Sequence, residues 1–252
     1  MKFYSLKYKI KSGEYAFTPA ITPKQVARKL AQGKSVLHKL VIPEGYTVNE
    51  IISQIRDIDI LIDDIDPVPE GYLMPNTYFY SYGDRRQSLV ERMKQDMSAA
   101  LDKHMPNLEP NSPLKSRLDV LKLASIIEKE ALFSAEKPRI AAVYINRLNK
   151  KMKLQADPTT IYAITEGKYK LPRLLTHKDL KIASPYNTYH VYGLPKSPIS
   201  CPNEESIKAA IYPAITKEIY FVANGNGGHL FAETFRQHRH NIKLYKRKLA
   251  RK

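Results

Sequence analysis

The sequence contains one cysteine, Cys201, and no tryptophan. A single cysteine excludes an internal disulfide framework and any zinc site built from several cysteines. No stretch of the chain approaches the roughly 18 uninterrupted apolar residues that a membrane-spanning helix needs. His238 and His240 lack the helical spacing of metal ligands, and the turn at residues 224–228 lacks the lysine and hydroxyl of a phosphate-binding loop. The sequence therefore predicts neither a metal site nor a cofactor site.

Positive charge and tyrosine are abundant instead. The 252 residues include 41 lysines and arginines against 25 acidic residues, which gives a formal net charge of +16. The hydrophobic fraction of 43% is typical of a folded chain and argues against disorder. The 17 tyrosines supply amphipathic rings, which suit flat polar ligands such as sugars or bases.

Half of the net charge lies in residues 234–252, which contain no acidic residue. Such a segment is typical of an anion-binding surface, and equally of a solvated helix face without a specific partner. The sequence has no zinc-finger spacing, no aromatic RNA-binding signature and no recognition helix, so we expect no nucleic-acid partner. The basic residues of this segment are Arg236, Arg239, Lys243, Lys246, Arg247, Lys248, Arg251 and Lys252.

The first 66 residues are predicted to form a small βαβα module. Residues 4–10 alternate apolar and polar side chains, as a half-buried strand does, and residues 35–42 give the second strand. Each predicted strand is followed by a helix whose start carries a capping box, in which a threonine and a residue three positions later cap each other. The two capping boxes pair Thr22 with Gln25 and Thr47 with Glu50.

An acidic and apolar stretch at residues 57–66 is followed by Pro67 and Pro69 and is predicted to be a linker. Residues 67–252 would then form a second, mixed α/β domain that ends in a basic helix. Its most informative element is a long helix predicted over residues 112–133, which carries two glutamates. The fold as a whole is predicted to be α+β.

The two glutamates, Glu128 and Glu130, lie near the end of this helix. At 100° per residue their side chains diverge by about 200°, so they cannot both point into one cleft. At helical spacing, each glutamate continues a row of apolar residues on its own face of the helix. A carboxyl held against an apolar wall has a raised pKa that suits a general acid near neutral pH. The sequence is also consistent with two glutamates at a solvated helix end, paired with Lys122, Lys129 or Lys137.

Three further stretches carry polar residues suited to a ligand. The stretch at residues 154–160 contains Asp157, which is also predicted to be an ordinary helix N-cap. The stretch at residues 184–189 flanks an asparagine with tyrosines, as in a sugar subsite or a packed turn. The glycine-rich segment at residues 224–229 ends in a histidine and is equally consistent with a flexible hairpin.

Taken in order, several stretches closely resemble the endolytic murein transglycosylases, the YceG-like family. The resemblance covers about residues 13–245 and rests on the motifs EGYLMPNTYFY, LASIIEKEA, AAVYINRL, LQADPTTIYAI, SPYNTY and IYFVANGNGGHLF. In that family a small module similar to peptidoglycan-binding LysM domains precedes a catalytic domain, in agreement with the boundary near residue 66. The resemblance implies cleavage within glycan strands between N-acetylmuramic acid and N-acetylglucosamine, which leaves 1,6-anhydromuramic ends and limits strand length.

The resemblance implies that Glu130 is the catalytic glutamate, with Glu128 as the alternative. The family commonly has threonine after the catalytic glutamate, whereas this chain has Ala131. The implied reaction needs one titrating carboxylate and no metal or cofactor. The residues implied to bind the substrate are Gln155, Asp157, Thr159, Tyr186, Asn187, Thr188, Tyr189, Asn224 and His229.

The implied partners are peptidoglycan glycan strands and the wall-synthesis machinery, and the chain is expected to be a monomer. The implied location is the bacterial cell envelope, at the outer face of the cytoplasmic membrane, although the anchor helix of the family is not found in this sequence. Two alternatives remain open. A hydrolase of the same polymer would use Asp157 together with Glu130. A non-catalytic protein would only bind the wall or, through its basic tail, a nucleic acid.

Overall fold

The computed structural model describes residues 10–250, which fold into eight α-helices and two separate two-stranded antiparallel sheets. The prediction of a mixed α+β fold is confirmed. The strand predicted at residues 4–10 lies, except for Ile10, outside the described residues. The elements are α1 (Pro23–Gln32), β1 (His38–Val41), α2 (Val48–Arg56), β2 (Thr77–Tyr80), α3 (Arg86–His104), α4 (Arg117–Glu130), α5 (Lys137–Asn149), α6 (Asp157–Thr165), α7 (Glu204–Ile211), β3 (Tyr220–Ala223), β4 (His229–Ala232) and α8 (Phe235–Leu249).

Both predicted capping boxes are present. Thr22 caps α1 and Thr47 caps α2, and in each case the side chain three residues later accepts a hydrogen bond from the backbone of the threonine. These contacts are local in sequence, which is why the sequence reveals them. The second predicted strand is shorter than expected, because β1 pairs only with the four residues of β2, from His38 opposite Tyr80 to Val41 opposite Thr77.

The smaller of two hydrophobic cores lies beneath the β1–β2 sheet. It buries Ile51 and Ile55 of α2 completely, together with Leu89 and Met93 of α3. The free cysteine, Cys201, is also fully buried and packs in this core. The sheet and the core therefore join residues from both sides of position 66.

The glutamate-bearing helix α4 is shorter than the predicted span of 112–133. Ser116, not Ser112, is its N-cap and accepts a hydrogen bond from the backbone N–H of Asp119 at 3.1 Å. The Ser112 hydroxyl instead accepts from the N–H of Leu114, within a separate turn. At the other end Ala131 adopts an extended conformation, so Glu130 is the last helical residue.

Helix α4 forms the centre of the larger core, where it packs against α5 and α7. This position fixes the helix end that carries Glu130. Among residues 10–250, no helix has both the length and the apolar character required to cross a membrane. The side chains of α4 that are fully buried include Val120, Leu121, Leu123, Ala124, Ile126 and Ile127.

Candidate active site

Glu130 lies at the end of the buried stripe of α4. Leu123 and Ile127, which precede it by two turns and one turn, are fully buried, so the helical repeat directs the Glu130 side chain along the same face. Glu130 is only partly buried and lines a cavity of about 330 Å³. The carboxyl therefore combines an apolar setting with access from the cavity.

Tyr144 of α5 supplies the closest polar contact of this carboxyl. Its phenol is almost completely buried and donates a hydrogen bond of 2.9 Å to Oε1 of Glu130. Burial raises the pKa of Glu130 to about 7, the negative charge of Asp157 also raises it, and the bond from Tyr144 and the charge of Arg147 lower it. A carboxyl with a pKa near neutrality can both donate and accept a proton at neutral pH.

Arg147 lies one helical turn after Tyr144 and also lines the cavity. Its guanidinium donates to backbone carbonyls at Ile219 and Leu154, both at 2.7 Å, and to that of Lys153 at 3.4 Å. No carboxylate in the described part of the chain forms an ion pair with it. Burial lowers the pKa of Arg147 from its usual value. The cavity therefore contains a buried cation that is held by neutral carbonyls.

The segment around residue 155 forms another wall of the cavity. Gln155 is exposed, has a left-handed backbone conformation (φ 50°) and donates its N–H to the carbonyl of Thr188 at 3.2 Å. Oδ1 of Asp157 accepts a bond of 2.6 Å from the phenol of Tyr189. Burial raises the pKa of that phenol, and the bond to Asp157 raises it further. Gln155, Asp157 and Tyr189 all line the cavity with Glu130.

The prediction that Asp157 is the N-cap of the short helix is wrong. Ala156 occupies the N-cap position of α6 without a side-chain hydrogen bond, and Asp157 is the first helical residue. Its carboxylate is exposed and bonds Tyr189 rather than the helix backbone. Asp157 is therefore directed toward the cavity.

Other residues implied to bind the substrate do not line the cavity. Thr159, Asn187 and Thr188 are fully buried, and the amide of Asn187 donates to the carbonyls of Leu180 and Ile182. The Asn187 oxygen also accepts from a threonine hydroxyl of α6. These bonds attach the loop at residues 184–189 to α6, and so they position the neighbouring Tyr189.

Tyr186 also lies away from the cavity. Its ring packs against that of Tyr162 with a centroid distance of 5.0 Å, next to the larger core. Its hydroxyl accepts a hydrogen bond of 3.3 Å from Ser197. Tyr186 therefore contributes to packing of the loop in this structure.

The hairpin between β3 and β4 brings His229 to the cavity. Both Nδ1 and the backbone N–H of His229 contact the carboxylate of Glu136, at 2.8 and 3.0 Å. This double contact fixes the ring and leaves Nε2 as its other polar atom. Asn224 does not line the cavity. Its side-chain oxygen accepts hydrogen bonds from the N–H groups of Asn226 and Gly228 and so closes the turn.

Two glycines allow this turn to approach the end of α4. A Cβ atom at Gly227, where φ is 87°, would lie 2.8 Å from Leu132, and one at Gly228 would lie 2.7 Å from the carboxylate of Glu136. Larger residues at these positions would push the hairpin away from the segment after Glu130. The two glycines are therefore needed for the hairpin to pack closely against the segment that follows Glu130.

Glu128 lies in different surroundings. It is 9% exposed, and Oε1 lies 3.3 Å from the ammonium group of Lys137, itself buried. Oε2 accepts from the N–H of Asn203 at 2.8 Å and from the hydroxyl of Ser206 at 2.9 Å. Glu128 does not line the cavity, and its partners tie together α4, α5 and α7.

The site also contains Tyr144, Arg147 and Glu136, which were not predicted from the sequence. Tyr144 and Arg147 are three residues apart on α5, a spacing that places both on one helix face. The same face carries Ile140 and Val143, which are buried. A tyrosine and an arginine on an otherwise apolar helix face therefore indicate a buried polar site, and this pattern is visible in the sequence. Within residues 10–250, no group of three or more histidine, cysteine or acidic side chains could hold a metal ion.

Comparison with known proteins gives relatives that are similar to this chain in sequence. The profile of the YceG-like family matches residues 1–244. The chain is 35% identical to an endolytic murein transglycosylase of Bacillus subtilis over 89% of its length, and 28% identical to one of Streptococcus pneumoniae over 95% of its length. It covers 64% and 52% of these relatives, respectively, and so spans between half and two thirds of their length.

The fold is also similar to a solved structure. The 2.6 Å crystal structure of a yceG-like protein from Listeria monocytogenes is 33% identical and superposes with a TM-score of 0.69. The similarity covers 88% of this chain and 82% of the Listeria chain. The chain belongs to the YceG-like family.

Proposed function

We propose that this chain is a lytic transglycosylase that cleaves peptidoglycan glycan strands internally, with Glu130 as its acid and base. The observation that carries the proposal is a carboxyl with a pKa of about 7 in a cavity that is also lined by two tyrosines and by the amide of Gln155. The relatives named endolytic murein transglycosylases support the reaction and its substrate. Glu128 is less suited to the role, because three neighbouring donors already occupy its buried carboxylate.

The reaction follows from the two protonation states of Glu130. The protonated carboxyl gives its proton to the oxygen that links muramic acid C1 to glucosamine C4. The C1–O bond breaks, its electron pair stays on the oxygen, and glucosamine leaves with a C4 hydroxyl. The C6 hydroxyl of the same muramic residue attacks C1 and transfers its proton to the carboxylate, which regenerates the acid. Because attacker and target belong to one sugar, their effective concentration is high and no water is consumed.

Neighbouring groups favour this sequence of steps. Tyr144 holds one oxygen of the carboxyl in place. The negative charge of the exposed Asp157 raises the pKa of the carboxyl, and the positive charge of the buried Arg147 lowers it. Positive charge that develops at C1 would be stabilised by Asp157. Gln155, Tyr189 and His229 line the same cavity and are proposed to hold the muramic acid ring and its lactyl group.

The second candidate function is hydrolysis of the same bond. Asp157 and Glu130 line one cavity. Glycoside hydrolases also use a pair of carboxyl groups as their catalytic residues. In that case water would add to C1 and the product would carry a reducing end. The nature of the product separates the two functions.

The experiment is digestion of purified glycan strands, with the ends identified by mass spectrometry. We expect anhydromuramic ends from the unsubstituted protein and none from Glu130→Gln, whereas Glu128→Gln retains activity in proportion to its folded fraction. Reducing ends would support the hydrolase. Full activity of Glu130→Gln together with an inactive, folded Glu128→Gln would move the acid to Glu128.

We further propose that the region up to residue 66 is a LysM-like module that binds glycan strands at the outer face of the cytoplasmic membrane. The family resemblance and the order α1, β1, α2 support this assignment. Because β1 pairs with β2, the module shares its sheet and its core with residues beyond 66. Sedimentation with purified peptidoglycan tests the module: substitutions on the exposed surface of α1 should reduce binding while cleavage of soluble strands persists.

A further inference from the structure

Helix α8 presents five exposed cations on one face, here called the basic stripe. At 100° per residue these positions fall within an arc of about 100°. The helix has no acidic residue, and no cation of the stripe forms an ion pair within residues 10–250. The basic stripe consists of Arg236, Arg239, Lys243, Lys246 and Arg247.

The opposite face of α8 fixes the direction of the basic stripe. His238 stacks on Tyr220 of β3 with a centroid distance of 5.0 Å, and the Asn241 side chain donates to the carbonyl of Phe231 at 3.1 Å. Lys248 lies on this inner side and donates to the carbonyl of Asn224. The helix is therefore attached to the β3–β4 hairpin and cannot turn its cations inward.

Exposed apolar side chains flank the basic stripe. Phe235 is 59% exposed at one edge and Leu244 is 41% exposed at the other. A soluble polyanion would require only the cations, whereas a lipid surface also takes up apolar side chains at the boundary between head groups and acyl chains. The combination of cations with an apolar side chain on each flank favours a lipid surface.

We propose that the basic stripe docks this protein onto an anionic lipid surface, with lipid phosphates against its cations and with Phe235 and Leu244 at the head-group boundary. The strands that anchor α8 also line the candidate active site, through Phe221 and His229. Docking would therefore hold the cavity within a few helix widths of the lipid surface. The inference goes beyond the proposed reaction and does not depend on Glu130.

The test is vesicle flotation with the full chain, using neutral phosphatidylcholine vesicles and vesicles that contain about 30% phosphatidylglycerol. We expect binding only to the anionic vesicles, and weaker binding as salt is raised, because exposed charges are screened. Arg239→Gln/Lys243→Gln/Arg247→Gln should weaken binding by roughly 100-fold, since each cation near an anionic surface contributes about fivefold. Leu244→Ser should also weaken binding to the anionic vesicles, and this loss should not depend on salt, because it removes an apolar contact and no charge.

The matched control replaces the exposed lysines Lys34, Lys150 and Lys178 by glutamine, which removes the same charge elsewhere. Binding that falls equally in both triple variants, or equal binding to both kinds of vesicle, would overturn the proposal. Tighter binding to double-stranded DNA than to anionic vesicles at equal salt would also overturn it, in favour of a polyanion site. Glu130→Gln should bind vesicles normally, so failure of the proposed reaction is distinguishable from failure of docking.

Discussion

The phenol of Tyr144 donates a 2.9 Å hydrogen bond to Glu130, and this bond opposes the burial that raises the pKa of the same carboxyl. A bond to the charged form stabilises the carboxylate, whereas an apolar setting stabilises the neutral acid. The two effects together hold the pKa near 7 instead of higher. Tyr144 therefore both orients the proton carrier and limits how strongly it holds its proton.

Tyr144→Phe is expected to raise the pKa of Glu130, because the carboxylate loses its donor while burial remains. The limb of the pH–rate profile on which activity falls as pH rises should move to higher pH. We also expect kcat to fall roughly 10-fold, since the carboxyl is no longer fixed toward the cavity. The measurement is the pH dependence of kcat/KM for cleavage of glycan strands.

Tyr162→Phe is the matched control for Tyr144→Phe. Tyr162 also donates to a glutamate, Glu70, at 3.2 Å, but neither residue lines the cavity. The control should change stability without moving the pH profile. An unmoved profile in Tyr144→Phe would mean that this phenol does not tune the acid.

Glu130→Gln is expected to stabilise the protein at alkaline pH. The pKa of Glu130 in the folded protein, about 7, exceeds its ordinary value of 4.5, so the folded state retains a proton that the unfolded chain releases. Stability from this group is present below about pH 4.5 and is lost as pH rises through 7. The variant should therefore be more stable than the unsubstituted protein by about 1–3 kcal/mol near pH 8, and nearly equal near pH 4.

Urea unfolding at the two pH values measures this difference, and Glu205→Gln, at an exposed glutamate, controls for loss of one charge. A stability difference that does not depend on pH would contradict the assigned pKa of Glu130.

Glu128→Gln is expected to destabilise the fold by about 3–5 kcal/mol, because it leaves the Lys137 ammonium group buried without its counter-charge. The double variant Glu128→Gln/Lys137→Met removes both charges and should recover part of the loss. Denaturant unfolding of the two single variants and the double variant gives the coupling energy between the residues.

The exposed pair of Arg56 and Asp64 is the control for this cycle, with an expected change below about 1 kcal/mol. Equal effects at the buried and exposed pairs would contradict the structural role of Glu128. Loss of activity in a fully folded Glu128→Gln would contradict it as well.

The features that the sequence revealed are those with local causes. The caps at Thr22 and Thr47 involve neighbours three residues away, and the repeat through Leu123 and Ile127 identifies the face that carries Glu130. The end of α4 was overestimated because the departure of Ala131 into an extended conformation leaves no local signal in the sequence.

Long-range contacts account for what was missed. The pairing of β1 with β2 joins residues on both sides of the predicted boundary at 66, and no local pattern encodes that register. Asn187 looked like a ligand-binding amide, but its bonds to Leu180 and Ile182 form only when the loop closes. The carbonyls that bind Arg147 come from two other segments of the chain, so its position in the cavity could not be predicted from the sequence around it.

The positive charge of Arg147 acts on the carboxyl of Glu130. Because this cation lowers the pKa of Glu130 and has no carboxylate partner in the described chain, Arg147→Gln should raise that pKa and move the alkaline limb of the pH profile upward. Cleavage at neutral pH should fall by about 10-fold to 100-fold, since the carboxylate that forms after proton transfer loses its stabilising charge. The pH dependence of kcat and kcat/KM measures both effects.

Arg147→Lys separates charge from geometry. Lysine keeps the positive charge but cannot reproduce the planar contacts to the carbonyls of Leu154 and Ile219, so we expect lower stability with a nearly unmoved pH profile. Arg139→Gln is the control on the same helix, because Arg139 pairs with Glu218 away from the cavity. Suppose that both Arg147 variants lost stability and neither moved the pH profile. Arg147 would then only connect the walls of the cavity, and its charge would not set the pKa of Glu130.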